Sequence, residues 1–254
     1  MINLVLLGTG NIATHLFEAF SASENIQVKQ VYNHSEESLR PFRDKTQVTT
    51  SLKDLQEADI YIIALKDDVI SEVSSQLESK KGIIAHTSGA VSIEALKNCH
   101  RPAVFYPLQT FSKKIPVTHT EIPFCLEAKY TADLKIMEWL AKEISGKAFQ
   151  INSSQRKKLH LAAVFVCNFV NHLYAIGEKI CEEHQIPFEI MQALILETAE
   201  KVKIASPDAL QTGPAVRNDQ NTINAHLELL SSPENKEIYQ LLTKSIQSLH
   251  GKKL

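Results

Sequence analysis

The sequence predicts an α/β chain: a Rossmann-type parallel-sheet domain over residues 1–151, followed by an all-α domain over residues 152–254. Three observations predict it. The chain opens on an apolar run, a glycine turn and a helical pattern. Strand-like apolar runs then alternate with helical segments as far as Ile151, and from Arg156 onward the pattern is helical. Alternation of strand and helix implies parallel strands joined by right-handed crossovers.

The opening element is the most informative. Leu4 to Leu7 reads as a buried strand, Gly8-Thr9-Gly10-Asn11-Ile12-Ala13 as a G-x-G-x-x-A turn, and Thr14 to Phe20 as a helix with Leu16, Ala19 and Phe20 at helical spacing. Strand, glycine turn and helix together are the context of a dinucleotide site. Gly8 permits the tight turn, Gly10 lets a pyrophosphate approach the backbone, and Ala13 lets helix and strand pack closely. The amides from Asn11 to Ala13 then face the phosphates, helped by the helix dipole.

Ile26 to Tyr32 is the second strand, ending at Asn33-His34-Ser35. An NAD-binding chain usually places an acid about 20 residues past the glycine turn, on the ribose hydroxyls. Here the position holds neutral Asn33, with Arg40 and Arg43 nearby, so NADPH is expected to be preferred over NADH. The alternative is that the two arginines sit on a solvated helix and touch nothing. Thr46 to Leu52 is a short β-rich piece and Leu52 to Glu57 a short helix. Ala58 to Leu65 is almost continuously apolar, as in a strand covered on both faces. Lys66-Asp67-Asp68 can cap a helix from Val69 to Leu77, and Gly82 to Gly89 is the next strand and its exit. Ligands bind parallel sheets at the carboxyl ends of the strands. That rule brings Gly8 to Ala13, Asn33 to Ser35, Ala64-Leu65-Lys66-Asp67 and His86-Thr87-Ser88-Gly89 to one edge.

Ser92 to Leu96 looks helical, and Ala103 to Tyr106 is a strand stopped by Pro107. Ile122 to Glu127 gives another strand. Thr131 to Ile144 is an amphipathic helix, with Leu134, Met137, Leu140, Ala141 and Ile144 on one stripe. Lys147 to Ile151 closes the sheet, and Asn152 to Gln155 reads as the linker.

In the second half, Lys157 to His184 is apolar almost all round its middle, which predicts a central, buried helix. His160, Asn168 and His172 recur at spacings of eight and four, either as buried groups satisfied by backbone or as a row facing a substrate. Helices follow over Pro187 to Lys203, Thr222 to Leu230 and Asn235 to Leu249. The loop between the first two holds Gly213-Pro214-Ala215-Val216-Arg217-Asn218-Asp219. Arg217 in a stiff Gly-Pro loop suits a carboxylate or other anion. An internal pair with Asp219 would explain it as well.

Composition bounds the rest. With 254 residues, 44% of them hydrophobic and 22% charged, the chain is of ordinary globular type. A net charge of -2 argues against nucleic acid or an anionic membrane as partner. No basic leader precedes the first strand, and no apolar run approaches the roughly 20 residues that span a bilayer. Cys99, Cys125, Cys167 and Cys181 have no metal-like spacing and read as reduced thiols of a cytoplasmic protein.

The glycine turn, His86-Thr-Ser-Gly89, Tyr106-Pro-Leu-Gln-Thr-Phe111, the His160 to Asn168 helix and Gly213 to Asp219 together carry a resemblance. The chain resembles NADP-binding oxidoreductases such as pyrroline-5-carboxylate reductase and 6-phosphogluconate dehydrogenase. It is closer to bacterial Rossmann-like NADP oxidoreductases whose N-terminus is similar to deazaflavin-dependent NADP reductases. The resemblance implies a Rossmann domain followed by a helical domain that builds a homodimer. In one respect the chain departs from it. The β-hydroxyacid dehydrogenases carry a catalytic lysine four residues before an asparagine on the first long helix, and here Val164 precedes Asn168. His160 is the nearest replacement, since histidine suits general acid or base work.

The expected function is therefore hydride transfer between NADP(H) and a small carbonyl or imine in the interdomain cleft. His160 would move the proton, Asn168 and Ser88 would orient the reacting group, and Arg217 would hold an anionic end. A non-catalytic NADP-binding sensor or scaffold is the alternative. An S-adenosylmethionine methyltransferase fits poorly, because the second strand lacks a terminal acid.

Overall fold

A computed structural model describes residues 1–113, 122–144 and 147–250. Strand β1 (Ile2–Leu7) lies near the middle of an eight-stranded sheet, because its residues are apolar on both faces. Leu4 and Leu6 pack with α1 (Asn11–Ser21) on one face, and Val5 and Leu7 belong to the core of the other face. That alternation is the period of two of a pleated strand. Ala13, Leu16, Phe17 and Phe20 form the buried stripe of α1.

After β2 (Ile26–Tyr32) come a short α2 (Glu36–Leu39), β3 (Gln47–Thr49) and β4 (Ile60–Ile63). Helix α3 (Ile70–Ser75) leads to β5 (Ile83–His86), then β6 (Pro102–Pro107) and β7 (Pro123–Ala128). Helix α4 (Thr131–Ile144) and β8 (Lys147–Gln150) complete the sheet. Its order is β3-β2-β1-β4-β5-β6-β7-β8. All pairings are parallel except β6 with β7, so the parallel sheet read from the sequence contains one reversal. Helices cover both faces: α1 and α4 close one core, α3 the other. Each fully buried Leu, Ile or Phe contributes roughly 1.5–3 kcal/mol.

Several short elements differ from expectation. Leu52–Asp54 and Ile93–Leu96 are single 3₁₀ turns, the second capped by the Ser92 hydroxyl accepting from the Glu94 amide. The α3 segment begins with a 3₁₀ turn, Asp67–Val69, without the side-chain cap expected from Lys66-Asp67-Asp68. Asn152 to Gln155, read as a linker, starts the next helix, α5 (Ser153–Ala163). The Asn152 side chain accepts from the Gln155 amide while the Gln155 side chain accepts from the Asn152 amide. Such a box is worth about 1 kcal/mol.

The chain forms two compact units, Met1–Asn168 and Phe169–Leu254. Helix α5 runs through a π segment, Val164–Phe169, into α6 (Val170–Glu183). Helices α7 (Gln192–Lys201), α8 (Pro207–Leu210), α9 (Gln220–Leu229) and α10 (Pro233–His250) follow. The long helix is not the buried element its composition predicts. Leu161 is 59% exposed, Phe165 61% and Val166 73%. Apolarity all round reports that a helix is to be covered, not which chain covers it. By length and composition, Ser153–Glu183 is also long and apolar enough to cross a bilayer, contrary to the run-length reading of the sequence.

Candidate functional site

Within the first unit, the carboxyl ends of the strands open into a cleft of about 1190 Å³. Its floor is the glycine turn. Gly8 has φ of +125°, and a Cβ there would lie 2.1 Å from the Ala64 carbonyl oxygen, so only glycine lets β1 and β4 end side by side. Ala13 is fully buried and lets α1 pack against the sheet. Thr9, Gly10, Asn11 and Ile12 line the cleft.

The expected second wall is present. Asn33, His34 and Ser35 line the cleft, joined by Ser38, which sequence reasoning missed. Asn33 is buried and fully engaged: its Nδ2 donates to Thr9 Oγ1 at 2.8 Å, and its Oδ1 accepts from the Ser35 amide at 2.9 Å. It therefore braces the β2 exit against the glycine turn. Arg40 and Arg43 are not among the lining residues, and Arg43 pairs with Glu36. Opposite lie Ala64, Leu65, Lys66 and Thr87; Asp67 is outside the lining, where Asp68 takes its place.

Next to Thr87 is a second cluster. The Ser88 hydroxyl accepts from the Ala90 and Val91 amides at 3.1 and 3.0 Å, closing a turn that presents Gly89. A Cβ on Gly89 would stand 2.7 Å from His160 Nδ1 and 2.8 Å from Tyr106 Cζ, so the missing side chain makes room for both rings. Tyr106 Oη and His160 Nδ1 are 3.0 Å apart, with the rings edge-on at 5.9 Å between centroids. Burial, then the neighbouring Cys125, pushes the Tyr106 phenol up to about 12, so it stays protonated. A neutral phenol can donate to Nδ1 of the neutral imidazole, or accept from it once the ring is protonated. Tyr106 can therefore partner His160 Nδ1 whichever way the ring is protonated.

A buried ionic group fixes this arrangement. Arg156, one turn before His160 and fully buried, donates to Glu127 Oε2 and to the Val91 carbonyl, each at 2.6 Å, and to Ser153 Oγ at 3.1 Å. Ser153 Oγ donates to Glu127 Oε2 at 2.7 Å and accepts from the Ile93 amide at 3.0 Å. Helix α5, β7 and the loop after β5 are tied together there. His86 is fully buried, and its Nδ1 accepts from the Ser88 amide at 3.2 Å. Burial first, and then the Arg156 guanidinium, lower His86 to about 3, so it is neutral.

Of the other expected catalytic residues, Asn168 is exposed in the π segment. π turns recur at functional positions. Arg217 is exposed in the second unit, where the Asp219 carboxylate is held below its ordinary range first by Thr222 and to a lesser degree by Arg217. Sequence reasoning brought Gly89 to the ligand edge but missed Tyr106 and Arg156 as site elements. The strand-end rule that found His86 to Gly89 would also have found Tyr106, one residue before the end of β6.

Comparison with known proteins fits this geometry. Residues 3–89 match the family described as NADP oxidoreductase, coenzyme F420-dependent, and residues 122–246 match a domain of unknown function, DUF2520. A candidate NADP oxidoreductase from Bacteroides fragilis is 39% identical over 97% of this chain and 98% of its own, with a TM-score of 0.91. The chain belongs to this NADP oxidoreductase family. A Thermotoga maritima protein is similar in fold at 24% identity, covering 97% of this chain and 98% of its own with a TM-score of 0.72. So is an imine reductase from Myxococcus stipitatus in complex with NADP⁺, at 16% identity over 98% and 96% with a TM-score of 0.66. Comparison with curated proteins gives no match.

For an NADP oxidoreductase the residues present suit the dinucleotide. A Cβ on Gly10 would meet nothing within 4 Å, so packing gives no reason for glycine there, whereas room for a ligand does. Gly10 is the N-cap of α1 with no side-chain cap, and the first turn carries no acid. Its amides are therefore free to receive phosphate oxygens.

Proposed function

We propose that this chain reduces a small carbonyl or imine compound with NADPH, used in preference to NADH. The carrying observation is the placement of the Gly89–Tyr106–His160 cluster two residues along the chain from Thr87, which lines the cleft of the glycine turn. Bound NADPH supplies the hydride. The chain's own residues bind, orient and move the proton. As the carbon is reduced, His160 Nε2 gives a proton to the substrate oxygen or nitrogen, while Nδ1 keeps its own proton and goes on donating to Tyr106 Oη. Ser88 keeps its turn closed and retains one hydroxyl hydrogen for the substrate, with Asn168 as a second orienting group. His34, Ser35 and Ser38 supply polar groups for the 2′-phosphate, and no carboxylate stands at Asn33 to repel it.

Titration followed by nicotinamide fluorescence, then NADPH oxidation with a panel of cyclic imines and 2-oxo acids, tests this. NADPH is expected to bind about tenfold or more tighter than NADH, the worth of one charge-assisted hydrogen bond. Absence of binding by either nucleotide would sink the reading. Tight NADPH binding without turnover of any panel member would leave the non-catalytic sensor in its place.

We also propose that the second unit pairs with a second copy of the chain, in the cytoplasm. Among its described residues the buried apolar side chains are Cys181, Ala215 and Ile223, too few for a helical unit to stand alone. Meanwhile Ile190, Leu194, Leu196 and Leu241 are each more than 60% exposed. Monomers rarely leave so many large apolar side chains of one small helical unit in solvent. The four cysteines are all free, in keeping with a reducing compartment. Light scattering is expected to give twice the chain mass at micromolar concentration. A monomer, or a chain that sediments with lipid vesicles, would contradict the pairing.

A further inference from the structure

The segment after β6 folds back over the glycine turn and is tied to α1 at two points. Asn11 Nδ2 donates to the Phe111 carbonyl at 3.0 Å, and His15 Nε2 lies 2.9 Å from the Ser112 carbonyl. The His15 and Phe111 rings also pack together, tilted by 39°, at 5.2 Å between centroids. The residue after these ties is Lys113, which lines the cleft together with Gly10, Asn11 and Ile12.

The charge around the cleft shows what the segment adds. The first turn of α1 offers only neutral amides and carries no basic side chain. Among the described residues the other lining lysine, Lys66, stands on the β4 side, where Asp68 and Glu72 also line the wall. A pyrophosphate brings two negative charges, and backbone amides with the helix dipole offset only part of them. We infer that Leu108 to Lys113 is a phosphate-binding strap, held by Asn11 and His15, whose Lys113 ammonium pairs with the dinucleotide pyrophosphate. This rests on the NADP(H) reading of the cleft. Both ties sit on the first turns of α1, next to the pyrophosphate-binding amides, and not on the Asn33 to Ser38 wall that meets the 2′-phosphate. The lysine therefore serves NADPH and NADH alike.

Fluorescence titration of wild type, Lys113→Ala and Lys113→Arg with both nucleotides, at low and at roughly physiological salt, is the test. Lys113→Ala is expected to weaken NADPH and NADH equally, by about tenfold at low salt, and to flatten the salt dependence of binding. Lys113→Arg is expected to retain most of the affinity, and the thermal melts of all three should coincide. His15→Ala, which frees the strap but keeps the cation, should lose affinity for both nucleotides by a smaller factor. Equal binding by wild type and Lys113→Ala would overturn the inference while leaving the cofactor reading intact. A loss confined to NADPH would also overturn it, by moving Lys113 to the 2′-phosphate. Wild-type protein that binds neither nucleotide would overturn the cofactor reading and the strap with it.

Discussion

Replacing His160 by glutamine is expected to slow NADPH-dependent reduction by about 10²- to 10⁴-fold, the usual contribution of a positioned general acid. NADPH affinity should be almost unchanged, because His160 is not among the residues lining the nucleotide cleft. The change therefore falls on turnover and on turnover divided by KM alike, as for an interaction made only in the transition state. Tyr106→Phe keeps the ring but removes the oxygen that lies 3.0 Å from Nδ1. It is expected to cost about tenfold, the worth of one hydrogen bond. In the His160→Gln background the same change should cost almost nothing further, since groups that act as a unit are not additive. Gly89→Ala offers a steric check, because its methyl would fall 2.7 Å from Nδ1 and displace the ring. If His160→Gln turns over substrate at the wild-type rate, proton transfer belongs elsewhere and Tyr106 loses its role with it.

How much of this was legible depends on what each residue pattern encodes. Strand β2 and helix α4 have the bounds their sequence periodicity predicts, Ile26–Tyr32 and Thr131–Ile144. In both, the apolar face is buried within one chain, so the pattern and the packing coincide. The glycine turn was legible for a different reason: a φ of +125° at Gly8 leaves a residue choice of one. Direction along the sheet was not legible. β7 is apolar in the same way whether it runs parallel or antiparallel to β6, and the pattern carries no sign of its sense. The helix from Ser153 to Glu183 shows a second limit. Its apolar middle is exposed, because periodicity measures a side chain's need for cover and not the source of that cover. Arg156 was hidden for a third reason. It is an ordinary residue of its element, and acquires a role only when α5 meets the loop after β5 and Glu127 of β7.

The Arg156 group is expected to set the stability of the first unit and its response to acid. Arg156→Met removes the ionic partner of Glu127 and three hydrogen bonds, leaving a partly buried carboxylate without its counter-charge. Breaking a buried pair from one side typically costs about 3–5 kcal/mol. His86 adds a pH dependence of definite sign. Burial, and next the Arg156 charge, hold its folded value at about 3, whereas in the unfolded chain it titrates near the ordinary 6.5. Above that value neither state binds the proton, and stability is complete. As pH falls from about 6.5 toward about 3, the unfolded chain takes up a proton that the folded chain refuses, and stability drops by roughly 1.4 kcal/mol per pH unit. The exposed carboxylates of Glu143 and Glu234, lowered first by hydrogen bonds from Ser23 and Ser232, lose stability in the same direction at lower pH. The difference between wild type and His86→Asn therefore isolates the histidine, since asparagine retains an acceptor for the Ser88 amide but does not titrate. Urea unfolding at about pH 7 and about pH 5 should show a shallower acid loss in His86→Asn, by close to one proton's worth of slope. Identical slopes would mean that His86 is protonated in the folded protein, which burial, the Arg156 charge and a Ser88 amide donating to its Nδ1 all oppose.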